Sequence, residues 1–285
     1  MPEKVECIPF IFSANTLGNV IMKQLKNKVA VVTGAASGIG QALAQRLSQQ
    51  GVHLALSDKN LGGLEQTRNL LTQDIRSRSD VLDISDKNAF LDYASKVIDE
   101  FGPIDIVINN AGITISGAAV DLSLDDFEQV LAVNLWGVIY GTKAFLPHLL
   151  ARPEAAIINI SSVFGMVGAA SQAAYCASKF GVRGFTETLW QELDDTSVLA
   201  MSVHPGGTAT NIAKAHDPRG VLGARIQKAS AKLLTTRPEV IADAIIDGLK
   251  QGKRRVVAGN LSKPLELLPR ILPTRYWKLQ KRLSI

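Results

Sequence analysis

Cysteine is nearly absent. The 285-residue chain has two, Cys7 and Cys176, too few and too far apart for a disulfide framework or a cysteine-built zinc site. Histidine is as sparse: His53, His148, His204 and His216 are the four, and their spacings match no metal-ligand motif. No structural disulfide and no metal are expected. Long apolar runs are missing too. The patch at 8–12, Ile-Pro-Phe-Ile-Phe, is far shorter than the roughly 20 residues a spanning helix needs, and it lacks the layout of a signal peptide. Acidic residues are scarce in one place only. From Lys250 to the end, ten basic residues face the single acid Glu266, so this stretch carries +9 while the remainder of a chain of net +5 carries −4. The high pI therefore belongs to the tail and gives no ground for a nucleic-acid-binding core.

What is present suits one large α/β unit. With 46% hydrophobic and 20% charged residues, the chain can bury a substantial core, and strand-like and helix-like stretches alternate without an obvious break. The expectation is a single domain over 27–260, an extension at 1–26 before it, and a basic amphipathic tail at 261–285. The segments at 123–150 and 172–195 read as helices longer than average.

The first strong pattern begins at Lys28. Lys28-Val-Ala-Val-Val-Thr33 is an apolar, β-branched run that leads directly into Gly34-Ala-Ala-Ser37-Gly38-Ile39-Gly40 and then a helical spacing of Ala42, Leu43 and Leu47. Glycines at a strand-to-helix turn permit positive φ and close backbone approach, and the exposed amides of the helix start attract a diphosphate. The spacing G-x-x-x-G-x-G is a variant of the dinucleotide fingerprint. The next strand ends in Asp58, eighteen residues beyond Gly40. A carboxylate there accepts hydrogen bonds from ribose hydroxyls and repels a 2′-phosphate, which favours NAD over NADP. Ser37 is not basic and offers no phosphate anchor, whereas Lys59, next to Asp58, could offer one.

A second constellation lies downstream. Tyr175 and Lys179 stand four residues apart and so share a helix face, and Ser162 lies thirteen residues before the tyrosine. A phenol with pKa near 10 is a poor base at neutral pH; a neighbouring ammonium is expected to lower it towards a useful range. Phenol, cation and hydroxyl together are the parts needed to move a proton at a carbonyl or alcohol oxygen. Of the two serines, Ser161 is turned away by strand alternation, leaving Ser162 for the reacting oxygen. Cys176 beside the tyrosine points elsewhere on the helix and reads as packing.

Thr33-Gly34-x-x-x-Gly38-x-Gly40, Asp83, Asn109-Asn110-Ala111-Gly112, Asn134, Ser162, Tyr175-x-x-x-Lys179 and Pro205-Gly206 occur in that order, and the chain resembles the short-chain dehydrogenase/reductase family over about residues 27–260. The resemblance implies a three-layer, Rossmann-like, doubly wound parallel sheet of about seven strands with helices on both faces. It also implies NAD(P)-dependent interconversion of alcohols and carbonyls. By that resemblance Tyr175 is the general acid/base, Ser162 hydrogen-bonds the reacting oxygen, Lys179 binds the nicotinamide ribose and lowers the tyrosine pKa, and Asn134 holds a water in a proton relay. Gly34, Ser37, Gly38, Ile39 and Gly40 would cradle the diphosphate, and Asp83, with Ile84 beside it, would meet the adenine. Asn110, Ala111 and Gly112 would lie against the adenosine ribose, and Pro205, Gly206, Thr208 and Thr210 would grip the carboxamide. The two long helices would pair across a homodimer, often within a homotetramer. Such proteins commonly begin near Met22, so translation from Met22 is a further expectation; an intact Met1 or Pro2 in the native protein's mass spectrum would refute it.

The substrate side is less specific. The segment 208–236, in the place of the family's variable substrate loop, carries Ala213, Ala215, Val221, Leu222, Ile226, Ala229, Leu233 and Leu234, with Gly220 and Gly223 as flex points. With Phe164, Met166 and Val167 it predicts an apolar pocket and a small hydrophobic alcohol or carbonyl substrate. In the tail, basic residues alternate with Leu265, Leu267, Leu268, Ile271, Leu272, Tyr276, Trp277, Leu279 and Leu283, with Pro269 and Pro273 as breaks. This composition suits peripheral contact with an anionic membrane, a lid, or packing on the body. A cytoplasmic protein, peripherally attached at most, is expected. The readings from other classes are a non-catalytic NAD(P)-binding protein and a membrane-surface lipid-binding protein on the same scaffold.

Overall fold

Strand β1, Val29–Thr33, is buried at every position. Ala30 and Val32 enter one apolar cluster while Val29 and Val31 enter another. A strand whose alternate side chains both find a core lies in the middle of a sheet covered on two faces. The computed structural model, which describes residues 20–210, 212, 217–230 and 234–282, has this architecture. Strands β2 (His53–Asp58), β3 (Ser77–Val81), β4 (Ile106–Asn109), β6 (Ala155–Ile160), β7 (Val198–Pro205) and β9 (Arg255–Ala258) join β1 in a seven-stranded parallel sheet of order β3-β2-β1-β4-β6-β7-β9. A separate parallel pair is made by β5 (Ile115–Ser116) and β8 (Asp217–Pro218).

One face of the sheet is covered by α1 (Gly38–Ser48), α2 (Leu61–Asn69) and the helix Pro238–Lys250. The other is covered by α3 (Lys87–Phe101), α5 (Gly137–Leu150) and α6 (Ala173–Glu192). Met22 and Leu25 join the first cluster, so the chain is already part of the core before β1. Because the strand order runs outward in opposite directions from β1 and β4, a crevice opens at the carboxyl ends of these two strands.

Both long helical expectations hold in position, with one difference. Between α4 (Leu124–Leu131) and α5 lies a π-helical turn, Ala132–Trp136, which carries Asn134 into the interior. The run Leu124–Leu150 is the one helix among the described residues long and apolar enough to cross a bilayer, yet 44% of its apolar stretch is buried in the fold. Phe145 and Leu149 sit in the core, and the run serves as a core helix.

The segment 208–236 contains β8 and α7 (Gly220–Ser230), followed after its end by α8, the helix Pro238–Lys250. Its base is a bridge between Thr208 and Thr236, and its middle is held by β8 on β5 and by Arg219 Nη2 donating to Asp126 Oδ1 at 2.9 Å. Gly220 has a φ of +63°. Gly223 is not a flex point: a Cβ there would lie 2.6 Å from the Ser116 carbonyl oxygen, so its backbone is pressed onto β5. The tail forms α9 (Ser262–Ile271) and α10 (Tyr276–Arg282). Pro269 lies inside α9 rather than ending it, and the break falls around Pro273. Cys7, the patch at 8–12, Ala213, Ala215, His216, Leu233 and Leu283 lie outside the described residues.

Candidate active site

The crevice at the sheet's carboxyl edge deepens into a cavity of about 670 Å³. One wall is the glycine turn. Gly34 adopts a φ of +67°, and a Cβ on Gly40 would lie 2.2 Å from the Gly34 carbonyl oxygen, so the helix start and the strand end touch backbone to backbone. Asn110 locks the turn by donating from Nδ2 to the carbonyls of Thr33 at 2.9 Å and Gly34 at 3.1 Å. Ser37, at the N-cap of α1, makes no side-chain cap, which leaves the first amides of the helix to a ligand. Asp58 closes the turn from β2, its Oδ2 accepting from the Ala36 amide at 3.1 Å.

Beside it, Lys59 Nζ lies 2.7 Å from Asp83 Oδ2, and Asp83 also accepts from the amide and hydroxyl of Ser85. The lysine beside it, with the Ser85 bonds, holds the Asp83 carboxyl below the usual range despite burial acting the other way. Lys59 is thus engaged with a carboxylate, and the pair is exposed enough to exchange partners at small cost.

The opposite wall holds the phenol, the cation and the hydroxyl. α6 places Tyr175 and Lys179 one turn apart, with the ammonium 5.7 Å from the centroid of the phenol ring. Lys179 Nζ donates to the Ile160 carbonyl at 2.9 Å, and burial pushes its pKa down to about 8, so it is still a cation at neutral pH. The Tyr175 phenol is pushed up to about 12 by burial, with a hydrogen bond to Ser162 opposing the shift. Burial dominates this shift, and the opposing pull comes from Ser162 rather than from the ammonium. Ser162 Oγ also accepts from the Phe164 amide at 3.1 Å. Ser161 turns the other way, as alternation requires, and donates to the Lys179 carbonyl at 2.8 Å. Gly165 permits this contact: a Cβ there would stand 2.3 Å from Ser161 Oγ.

Seventeen of the nineteen site residues named from the sequence line this one cavity: Gly34, Ser37, Gly38, Ile39, Asp58, Asp83, Ile84, Asn110, Ala111, Gly112, Ser162, Tyr175, Lys179, Pro205, Gly206, Thr208 and Thr210. Gly40 supports the turn from behind. Asn134 sits behind Gly112 and near Lys179, with its amide spent on the Ile113 amide and carbonyl and on Ser178 Oγ at 3.0 Å. Its side chain therefore braces α6 against the segment that follows β4.

Sequence reasoning missed Thr114, Gln172 and Leu261, which also line the cavity. Thr114 Oγ1 donates to Gln172 Oε1 at 2.9 Å, just before α6 begins. Neither residue stands in a recognisable motif. Leu261 is brought in by a left-handed backbone, φ +57°, which no local pattern announces. The tail reaches the site as well: Leu265 lines the cavity and packs with Val163, Met166 and Val167, and Tyr276 joins them while its hydroxyl accepts from the Gly168 amide at 3.1 Å. Cys176 is buried, its thiol pushed up by burial, and it packs under Val167.

This arrangement can hold a dinucleotide along the sheet edge and exchange a proton with an oxygen placed between Ser162 and Tyr175. A family model described as short chain dehydrogenase matches residues 28–219. The chain is 41% identical over 266 residues to a Mycobacterium tuberculosis protein named "Putative oxidoreductase SadH", covering 90% of this chain and 95% of that one. It is 37% identical over 198 residues to an uncharacterized oxidoreductase of Staphylococcus epidermidis, covering 69% and 84%. Among solved structures it resembles a short-chain dehydrogenase/reductase of Burkholderia phymatum in complex with NAD, with TM-score 0.82, 25% identity and coverage of 88% and 96%. It also resembles an alcohol dehydrogenase of Thermococcus sibiricus complexed with 5-hydroxy-NADP, with TM-score 0.68, 28% identity and coverage of 79% and 91%.

Proposed function

The chain belongs to the short-chain dehydrogenase/reductase family of NAD(P)-binding oxidoreductases, and from that premise we propose that it interconverts a hydroxyl and a carbonyl on a hydrophobic substrate, with NAD as the preferred cofactor. The observation that carries this reading is the meeting of Ser162, Tyr175 and Lys179 with the glycine turn in a single cavity. The residues present fit a dinucleotide: the turn leaves no room for a Cβ at Gly34 or Gly40, the first amides of α1 are uncapped, and Asp58 stands where ribose hydroxyls would be bound. A nicotinamide cofactor, when bound, supplies the hydride exchange.

The protein's own residues do the rest. Ser162 and Tyr175 hydrogen-bond the reacting oxygen, and the protonated phenol delivers a proton to a carbonyl in the reducing direction or takes one from an alcohol in the other. Lys179, a buried cation at neutral pH, favours the tyrosinate as charge develops and offers its ammonium to the nicotinamide ribose. Asn134 holds the helix in place for a proton route beyond the lysine. Ile84 and Asp83 would meet the adenine and Pro205, Gly206, Thr208 and Thr210 the nicotinamide, and all six line the cavity. Phe164, Leu234, Leu261 and Leu265 make the substrate end apolar, which excludes water and favours a greasy substrate.

Replacing Tyr175 by Phe is expected to lower kcat with lipophilic alcohols about a thousandfold while NADH titration is unchanged. Normal turnover by Tyr175→Phe would overturn the mechanism, and failure of both NADH and NADPH to bind would overturn the oxidoreductase reading in favour of another use of the scaffold. The half-exposed Trp136, stacked on Tyr140, and the exposed Phe180 support pairing of α5 and α6 in a homodimer or homotetramer.

A second observation favours peripheral attachment of a cytoplasmic enzyme. On α9, Lys263, Leu267, Arg270 and Ile271 form one outward stripe, and Leu267 and Ile271 are 53% and 64% exposed. Trp277, beside Lys278 and near Lys281, is half exposed on α10. Glu266, the one acid in this tail, is engaged with Arg255 and Arg270. Such a surface complements an anionic bilayer. Sedimentation with phosphatidylglycerol vesicles is expected to carry the protein down in low salt, and the pair Ile271→Asn and Trp277→Ser to abolish this without altering NADH binding. No sedimentation by the parent protein would reject the membrane contact, and a changed oligomer on sizing would assign the stripe to a second copy.

A further inference from the structure

His204 is fully buried at the end of β7, directly before Pro205 and Gly206, and none of the roles above uses it. Its ring reaches across to the neighbouring strand. Nδ1 lies 3.0 Å from the Ser162 carbonyl oxygen and Nε2 lies 3.2 Å from Ser202 Oγ. A carbonyl can only accept, so Nδ1 carries the proton, and Nε2 in the neutral ring accepts from the Ser202 hydroxyl. The tautomer is therefore set by its partners.

The position of that bond matters. The ladder between β6 and β7 ends where the Ser161 amide donates to the Val203 carbonyl at 2.8 Å. Ser162 is the next residue, extended at φ −169° and ψ +165°, and the chain then turns sharply through Val163–Gly165. Beyond the last ladder bond, the Ser162 peptide is held by two donors, the Gly165 amide at 2.9 Å from its own turn and His204 Nδ1 from the next strand. The first is local and moves with the turn. The second ties the serine to the sheet, and through the next residues to the loop of Pro205 and Gly206.

We propose that His204 is a positioning residue: its Nδ1–H holds the Ser162 carbonyl and so aims the Ser162 hydroxyl at the reacting oxygen, an inference that rests on the oxidoreductase reading above. Burial supports it by keeping the ring neutral, its pKa pushed down to about 4. The charged groups that face it are Arg255 from β9 and Arg183 and Glu187 from α6, and these are engaged with one another, Arg183 Nε lying 2.8 Å from Glu187 Oε1 and Arg255 pairing with the same carboxylate. The imidazole thus serves as a neutral donor with a fixed direction, and it takes no part in the proton transfer.

The test is a double-mutant cycle with Ser162, read with NAD and the best substrate from a panel of lipophilic alcohols. His204→Leu is expected to lower kcat about tenfold while the NADH dissociation constant and the KM for the alcohol stay within about twofold. In the Ser162→Ala background, His204→Leu should cost less than about twofold more, because the hydroxyl it aims is gone. An equal loss in both backgrounds, or no loss in either, overturns the proposal. If His204→Leu lowers the melting temperature too far to assay, two polar variants decide. Asn places its amide near Nδ1 and Gln near Nε2, so His204→Asn should retain most activity and His204→Gln should behave like the leucine variant; equal activity in the two overturns the proposal. Inactive parent protein with every alcohol would instead strike the oxidoreductase reading itself, and the inference with it.

Discussion

The two ends of the cavity are built on different principles. At the end proposed for the cofactor, contact is made to backbone: Gly40 against Gly34, the Asn110 side chain bonded to the Thr33 and Gly34 carbonyls, and the Asp58 carboxylate bonded to the Ala36 amide. At the end proposed for the substrate, contact is made by apolar side chains drawn from distant parts of the chain, Phe164 after β6, Leu234 before α8, and Leu261 and Leu265 from the tail. Polar ties that hold those parts include Asn260 on Thr236 and Tyr276 on the Gly168 amide. Backbone contacts at van der Waals distance tolerate almost no change, whereas an apolar wall can be repacked at modest cost.

That contrast can be broken at graded strength. The largest effect is expected from Gly40→Ala. The added Cβ would fall 2.2 Å from a carbonyl oxygen, so the turn must open, and NADH binding should weaken by more than about a hundredfold with a stability loss of about 1–3 kcal/mol. Fluorescence titration and thermal melts would measure both, and near-normal binding would mean that the cofactor end is as tolerant as the substrate end. A smaller change is expected from Asp58→Ser, which removes the carboxylate that repels a 2′-phosphate. The ratio of kcat/KM for NAD over NADP should fall about tenfold, equivalent to about 1.4 kcal/mol; an unchanged ratio would take the cofactor preference away from Asp58.

The smallest effect is expected from Tyr276→Phe. It removes the bond to the Gly168 amide, worth about 1 kcal/mol, and keeps the ring packed on Val163 and Met166. The KM for a lipophilic alcohol should rise a few-fold with the NADH dissociation constant unchanged. If cofactor binding weakened equally, the two ends would be coupled rather than separately built.

The cofactor half was readable in advance because its requirements are local. A strand, a glycine turn and a helix start are contiguous, so their chemistry is visible within a dozen residues, and the sequence placed Gly34, Ser37, Gly38 and Ile39 on the wall they occupy. Tyr175 and Lys179 were readable for the same reason, since one helical turn relates them. Gln172 and Leu261 were not readable: each acts through a backbone position or a partner distant in the chain. The rise of the Tyr175 phenol was not readable either, because the desolvation behind it comes from walls contributed by the whole fold.

By itself, then, the sequence determined the alternation of strands and helices, the glycine turn and the helical pair of phenol and ammonium, which follow from periodicity and short-range spacing, while the parallel sheet was implied by the family resemblance. Only the tertiary structure decided that the C-terminal tail forms part of the cavity wall, that Gly223 is a close contact rather than a hinge, and that His204 reaches the Ser162 carbonyl. Residues adjacent in space but remote along the chain leave no periodic trace. Their meeting is fixed by how strands and helices pack, and by the burial that packing imposes on them.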